Sequence, residues 1–239
     1  MNDAFYSRTA MLLGEDGVEK LKHSTVAVFG LGGVGSYIVE ALVRAGVGRL
    51  ILIDGDSVAE SNLNRQIIAT VDTVGMRKVD AAAARARSIN PAVELVLCDL
   101  FYSADTADAV DLSHADYVCD AIDSVKSKME LILRCRDHGV PLISCMGTGN
   151  KLDPTRLEIS DIYKTDVCPL AREMRRLCRK AGVESLKVLY SKEEPVVPGI
   201  APVADGAEIV KRTPPGSISF VPSAAGLIIA GEVVRDLCK

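Results

Sequence analysis

The chain has 239 residues, with 28 Lys and Arg against 32 Asp and Glu and a net charge of -4. At that length it can bury roughly 70–75% of its unfolded surface, so one large α/β unit is the default. A mildly acidic average excludes a wholly basic nucleic-acid binder, and the absence of Trp with only four Phe excludes a broad stacking platform for single strands.

Residues 1–22 read as a helical lead-in, interrupted by Gly14 and Gly17 and carrying Arg8, which spacing alone reads as a solvated charge. The first residues lack the charged and apolar blocks of a signal peptide, and the charge-free stretch 24–39 is too short and glycine-rich to span a bilayer. The expectation is a cytoplasmic protein without membrane contact. Seven cysteines fit that compartment. Most sit in apolar patterns, where Cys behaves as a small hydrophobe, and none are spaced Cys-x-x-Cys, so a structural zinc site is not supported.

Residues 25–29 form a short apolar run rich in β-branched side chains, followed at once by Gly30, Gly32, Gly33 and Gly35. A helical pattern spans 36–45, and a second apolar run, 50–53, ends on Asp54. This is the strand–turn–helix–strand opening of a dinucleotide-type fold. Gly30 lets the chain turn out of the strand, Gly32 lets backbone approach a phosphate, and Gly35 lets the helix pack closely on the strand. The helix N-terminus then offers unpaired N–H groups to an anion. Asp54 stands where it can accept from ribose hydroxyls. The bland alternative is a tight turn in another kind of βα unit. The stretch leaves open whether the phosphate belongs to a nicotinamide cofactor or to a nucleotide that is consumed.

The next loop departs from a plain nicotinamide unit, with Asp56, Asn62, Asn64, Arg65 and Gln66 within a dozen positions. Asp and Asn can hold ribose or base edges, and Arg65 can pair with phosphate, against the alternative of a polar surface turn. Lys78 precedes a helix over 79–88. A cation at a helix N-terminus opposes the dipole by roughly 0.3–1 kcal/mol, a mismatch that a bound polyphosphate would reverse. Residues 93–98 form a third strand, 105–112 a short helix and 115–120 a fourth strand. Asp120 and Asp123 lie at its carboxyl end, where open α/β sheets bind ligands. Their oxygens suit Mg²⁺, or one of them caps the helix over 125–135. Residues 141–146 form a fifth strand.

From Asn150 the character changes. Residues 156–162 and 187–191 read as short edge strands flanking a helix that opens on Pro169 and stops at Gly182. Residues 172–192 hold seven Lys or Arg against two Glu, either a solvated helix face or a contact for a nucleic-acid backbone. Residues 193–216 form a long Pro-rich loop, expected to cross over the nucleotide. Residues 217–221 read as a last strand, with Ser223 capping an apolar C-terminal helix. The fold class expected is α/β, Rossmann-like: a mostly parallel sheet with helices on both faces and a short antiparallel extension. One domain over 1–239 is expected, with a lead-in (1–24), a nucleotide-binding core (25–149) and a substrate-side extension (150–239).

Taken together, Gly30-Leu-Gly-Gly-Val-Gly35, Asp54-Gly-Asp56, Ser61-Asn-Leu-Asn-Arg-Gln66, Lys78 and Asp120-Ala-Ile-Asp123 resemble the adenylate-forming fold of the ubiquitin-activating-enzyme superfamily. Lys151-Leu-Asp-Pro-Thr, Pro169-Leu-Ala-Arg, Tyr190-Ser-Lys-Glu-Glu-Pro and Gly216-Ser-Ile-Ser-Phe-Val-Pro extend the resemblance to one branch, the tRNA threonylcarbamoyladenosine dehydratases. The resemblance implies ATP-dependent adenylation of the threonyl carboxylate of a modified tRNA adenosine, then ring closure with release of AMP. It implies ATP and Mg²⁺ as cofactors, with Gly30, Gly32, Gly33, Gly35, Asp54, Asp56, Asn62, Arg65, Gln66 and Lys78 around the nucleotide. Asp54 would hold the ribose, Asn62, Arg65 and Lys78 the phosphates, and Asp123 the metal. Arg8 would reach the phosphates of the neighbouring subunit of a homodimer, making Arg8, Arg65, Lys78 and Asp123 the catalytic set. The partners implied are tRNA carrying threonylcarbamoyladenosine and, as an open case, a sulfur-relay protein. Some relatives of that branch carry a cysteine just before the Tyr-Ser-Lys stretch, but Lys187-Val-Leu-Tyr190 holds none here, so no covalent thioester is expected.

Three competing functions fit parts of the pattern. Adenylation of a small ubiquitin-like sulfur carrier is disfavoured by the missing Cys-x-x-Cys pairs. A nicotinamide-dependent oxidoreductase leaves Arg65, Lys78 and Asp123 idle. A nucleotide-binding adaptor would hold ATP without turning it over.

Overall fold

In a computed structural model, which describes residues 3–199 and 215–239, β1 (Thr25–Phe29) is buried at all five positions. A continuous apolar run of this kind is what a parallel strand covered on both faces requires. Val26 and Val28 point to one core, and Ala27 and Phe29 to the other. To one side of β1 lie β2 (Arg49–Ile53) and β3 (Glu94–Cys98). To the other lie β4 (Tyr117–Asp120), β5 (Leu142–Cys145), β7 (Lys187–Ser191) and β6 (Leu157–Asp161). Every neighbouring pair is parallel except β6–β7. The α/β sheet with a short antiparallel extension is as expected.

Chain order reverses between β1 and β4, which makes the gap beyond their carboxyl ends the switch point where such sheets bind ligands. Helices α1 (Asp3–His23), α2 (Gly35–Ala45), α3 (Lys78–Ile89) and α6 (Phe220–Leu237) bury their apolar sides in the core that contains Val26 and Val28. Helices α4 (Val125–His138) and α5 (Pro169–Lys180) cover the opposite face. Gly226 brings α6 against α2, because a Cβ there would lie 2.4 Å from the Val34 carbonyl oxygen.

Several local expectations are corrected. Residues 187–191 are not an edge strand: β7 lies between β5 and β6, and of these two only β6 is at an edge. Residues 217–221 are not a strand either, since α6 already begins at Phe220 and Ser223 lies inside it. Pro222 is compatible with that start, because first-turn N–H groups have no helical acceptor. The helix expected over 105–112 shrinks to one 3₁₀ turn, Ala107–Ala109. Gly14 breaks α1 with φ 73° and ψ 169°, whereas Gly17 stays helical.

Candidate active site

A cleft of ≈ 1050 Å³ opens at the switch point, lined by residues from the β1–α2 turn, the β2–α3 loop, the ends of β3, β4 and β5, and the start of α5. Its floor is the glycine turn. Gly30 takes φ +85°, and a Cβ there would lie 2.7 Å from the Ala121 carbonyl oxygen. At Gly35 a Cβ would lie 1.7 Å from the Gly30 carbonyl oxygen, so close helix–strand contact requires glycine. Gly33 packs against Pro222 of α6, 3.1 Å from a Cβ. Gly32 differs: a Cβ would meet nothing nearer than Gln66 Nε2 at 3.9 Å. That space is open to a ligand, and α2 begins there with neither a capping side chain nor an acid in its first turn.

Asp54 braces this floor. Its Oδ2 accepts from Leu31 N at 2.6 Å and its Oδ1 from Asp56 N at 2.8 Å. A carboxylate has about four acceptor sites, so ribose hydroxyls can still find lone pairs. Lys78, the first residue of α3 and 6% exposed, donates to Asp56 Oδ2 at 2.7 Å and lies 3.9 Å from Asp54 Oδ1. The opposition between this cation and the helix dipole is therefore offset inside the protein by two carboxylates.

Arg65 has no such partner. Its Nη1 donates only to the Ser61 carbonyl (2.8 Å) and to Asn64 Oδ1 (3.0 Å), and desolvation pulls its pKa below the usual guanidinium value. Asn64 in turn donates to the Ser217 carbonyl at 3.1 Å, tying this loop to the approach to α6. Asn62 lines the cleft while its Oδ1 accepts from Ala59 N at 3.1 Å. Gln66 is 5% exposed, and its Oε1 is buried without a protein partner, as an acceptor awaiting a ligand donor would be.

The two acids at the end of β4 separate. Asp123 is exposed at the cleft, with no hydrogen-bond or ion-pair partner among the described residues. Asp120 is wholly buried and spent on Lys128, Ser144 and Ile122 N, so it is not available to a metal. Neither acid caps α4: Ser124 does, accepting from Ser127 N at 3.4 Å. Arg8 is exposed on α1 and does not line the cleft of its own chain.

The basic segment also divides. Arg175 donates to the Thr165 carbonyl, Arg176 pairs with Glu173, Arg179 lies over the Tyr163 ring, Lys187 bridges Glu232 and Asp236, and Lys192 pairs with Glu158. Among the described residues only Arg172 and Lys180 of the seven lack a side-chain partner, and both are exposed.

Sequence reading missed three features of the rim. Phe101, 68% exposed, follows β3 and packs beside Gly55, where a Cβ would lie 2.7 Å from Phe101 N. Its position just past a strand's carboxyl end was the available signal. Lys151 is 3% exposed and donates to the Glu193 carbonyl. Asn150, at φ 57°, accepts Val196 N at 2.8 Å on its carbonyl and donates its own N–H to the Gly216 carbonyl at 2.8 Å. Both described ends of the 193–216 loop are thus fastened at one residue. The crossing segment expected there falls mainly on 200–214, outside the described residues.

A family model described as the ThiF family matches residues 6–239. The tRNA threonylcarbamoyladenosine dehydratase of Bacillus subtilis (strain 168) is 45% identical over 240 residues, covering 98% of this chain and 94% of that protein. The solved structure of the E. coli tRNA N6-threonylcarbamoyladenosine dehydratase in complex with AMP superposes with a TM-score of 0.87 at 34% identity, covering 99% of this chain and 96% of that one. The same enzyme in complex with ATP superposes at 0.85 and 33% identity, with the same coverage.

Proposed function

This chain belongs to the ThiF family, and on that premise we propose that it is an ATP-dependent tRNA threonylcarbamoyladenosine dehydratase. A carboxylate is a poor electrophile. Its oxygen attacks the α-phosphorus of ATP, pyrophosphate leaves, and the carbonyl becomes an acyl-adenylate with a good leaving group. The ureido portion of the same nucleoside then closes onto that carbonyl and AMP departs. The protein's work is positioning and charge stabilisation.

The observation that carries this reading is the pairing of opposites in one cleft. Arg65 is a half-buried cation without a carboxylate, Asp123 is a carboxylate without a cation, and both line the cleft whose floor is free of side chains at Gly32. A triphosphate with its metal uses all three, whereas a hydride carrier leaves Arg65 and Asp123 idle. In this reading Asp54 accepts from the ribose, with Asp56 beside it, Asn62, Arg65 and Lys78 face the phosphates, and Gln66 lies against the nucleotide with its Oε1 open to a donor. Lys78 can exchange Asp56, which is half exposed, for phosphate oxygen at little desolvation cost.

Asp123 suits Mg²⁺, which is held by one or two carboxylates and completed by phosphate and water. When bound, the ion would neutralise phosphate charge. Among the described residues no three His, Cys, Asp or Glu side chains cluster closely enough to hold a metal alone. Arg8 acts on the cleft of the neighbouring subunit in a homodimer, and Arg172 and Lys180 meet tRNA phosphates. A cytoplasmic location follows from that substrate, and no described helix is long and apolar enough to cross a membrane. A sulfur-relay protein would be an additional partner that the reaction itself does not require.

The test is purified protein with ATP and tRNA carrying threonylcarbamoyladenosine. AMP release and a cyclised nucleoside by mass spectrometry are expected, and neither with unmodified tRNA. No cyclised nucleoside alongside an active control overturns the reading. Pyrophosphate exchange that needs a carrier protein and no tRNA would favour the sulfur-carrier alternative.

A further inference from the structure

Lys128 is fully enclosed, 0% exposed, in the buried stripe of α4 that also holds Leu131, Ile132 and Cys135. All three of its protons are committed. Nζ donates to Asp120 Oδ2 at 3.0 Å, to the Cys145 carbonyl at 2.7 Å and to Ser144 Oγ at 3.4 Å. Ser144 Oγ donates to the same Asp120 oxygen at 2.5 Å, and Asp120 Oδ1 accepts from Ile122 N at 3.1 Å. Asp120 is likewise 0% exposed. An enclosed ion pair is weak evidence for stability, since an apolar pair of similar size commonly serves as well or better. What this one does have is a location. It ties α4 to the last residues of β4 and β5, directly beneath the cleft.

The loop it holds is the one that presents Asp123. Ala121 is pinned on the β1 side, its N–H donating to the Phe29 carbonyl at 2.8 Å and its carbonyl lying against Gly30. Ile122 is pinned from below by Asp120. Asp123, next in line, is held by no side-chain bond of its own. Its position at the cleft is therefore set by the two pinned residues before it and by Ser124 after it, which caps α4 and accepts Lys128 N on its carbonyl at 2.9 Å.

We propose that Lys128 is a positioning residue for the adenylation site: through Asp120 it fixes the 121–123 loop and so aims the Asp123 carboxylate at the metal and phosphates. This rests on the reading of Asp123 as the magnesium-binding carboxylate. Residues that orient metal ligands from behind act in this way, and their loss weakens metal affinity without contacting the metal.

The test uses the full chain. The double variant Asp120→Leu/Lys128→Met removes both charges and leaves neither stranded. Hydrogen exchange of the 121–123 amides in the free protein should accelerate. ATP binding without Mg²⁺ should stay within about twofold of the parent, because the Gly32 floor, Arg65 and Lys78 are separate from the pair. The Mg²⁺ concentration that half-maximally tightens ATP binding should rise about 10–100-fold. A merely structural role would weaken ATP binding equally with and without Mg²⁺. If the double variant does not fold, Ser144→Ala decides on the same readouts, with a smaller shift in the same direction. An unchanged Mg²⁺ requirement in the folded variant overturns the proposal. Asp123→Asn separates the two levels. If it also leaves the Mg²⁺ requirement unchanged, the reading of Asp123 fails and the proposal with it. If it shifts the requirement while the folded double variant does not, only the positioning role fails.

Discussion

Gly32→Ala should separate nucleotide binding from folding. The new methyl meets no protein atom nearer than Gln66 Nε2 at 3.9 Å, an ordinary contact, and Gly32 is not among the glycines with positive φ. The free protein should therefore accept alanine within about 0.5 kcal/mol. For a chain of this size that is a melting shift of about 2 °C or less. A phosphate resting on the floor would meet the methyl directly. Overpacking of this kind costs about 1–3 kcal/mol, which is about 5–150-fold in ATP affinity. Gly35→Ala is the contrast, because its Cβ would lie 1.7 Å from the Gly30 carbonyl oxygen and only backbone movement relieves that. A loss of about 3 kcal/mol, or about 6–12 °C in melting temperature, is expected there. Calorimetric titration with ATP and thermal melts of both variants provide the measurement. Wild-type ATP affinity in Gly32→Ala, or a melting loss as large as that of Gly35→Ala, would refute the placement of phosphate over Gly32.

Lys78→Ala should lower kcat/KM by about 2–4 kcal/mol of transition-state stabilisation, as for single electrostatic donors. Its melting temperature should change little, since the Asp56 left behind is half exposed and the enclosed Asp54 keeps its bonds from Leu31 N and Asp56 N; near-normal turnover refutes its role. If Arg8 acts across a dimer, Arg8→Ala and Lys78→Ala proteins should each be inactive, yet regain activity when mixed, because one site of each mixed dimer is intact. No recovery in verified mixed dimers assigns Arg8 elsewhere. Burial pushes the Asp236 carboxyl up, but hydrogen bonds from Lys187, Lys239 and Tyr117, with the Lys187 charge, outweigh it and hold the pKa at about 2, below the ordinary 3.8. A depressed carboxyl contributes stability above its unfolded pKa and loses it as pH falls through the folded one. Asp236→Asn should therefore cost up to about 2 kcal/mol at pH 7. The difference from the parent should shrink between about pH 4 and pH 2, measured by denaturant melts. Equal destabilisation at both pH values would contradict this. Burial pushes the Cys135 and Cys145 thiols up to about 12 and Cys119 upward as well. Alkylation of the native protein at pH 8 followed by mass spectrometry should leave all three unmodified, and rapid labelling of any would reopen a covalent role for cysteine.

The nucleotide floor was legible because it is local. A buried strand, a glycine turn, a helix start and Asp54 lie within thirty residues, and Gly35 is demanded by the Gly30 carbonyl that the same segment supplies. Arg65, Lys78 and Asp123 were legible as types of charge, since their loops follow strands whose apolar runs mark them as parallel. The basic stretch over 172–192 was legible only as a count. Five of its seven cations are committed to partners within the protein, as when Lys187 meets Glu232 and Asp236 on α6.

What the sequence determined by itself was the order of the seven strands and of the long helices between them, and most of the charged residues that line the cleft. The tertiary structure decided which polar groups are free to act. Asp120 and Asp123 are three positions apart and look equivalent as carboxylates. One is enclosed with Lys128 and Ser144, and the other stands open at the cleft. Likewise 187–191 has the length of an edge strand, and only pairing with both β5 and β6 makes it internal. In each case the deciding quantity is burial between elements distant in the chain, which local pattern does not encode. Lys128 did leave a trace, as one cation in the stripe formed by Leu131, Ile132 and Cys135. Its meaning depended on the carboxylate and carbonyl that two other strands bring to it.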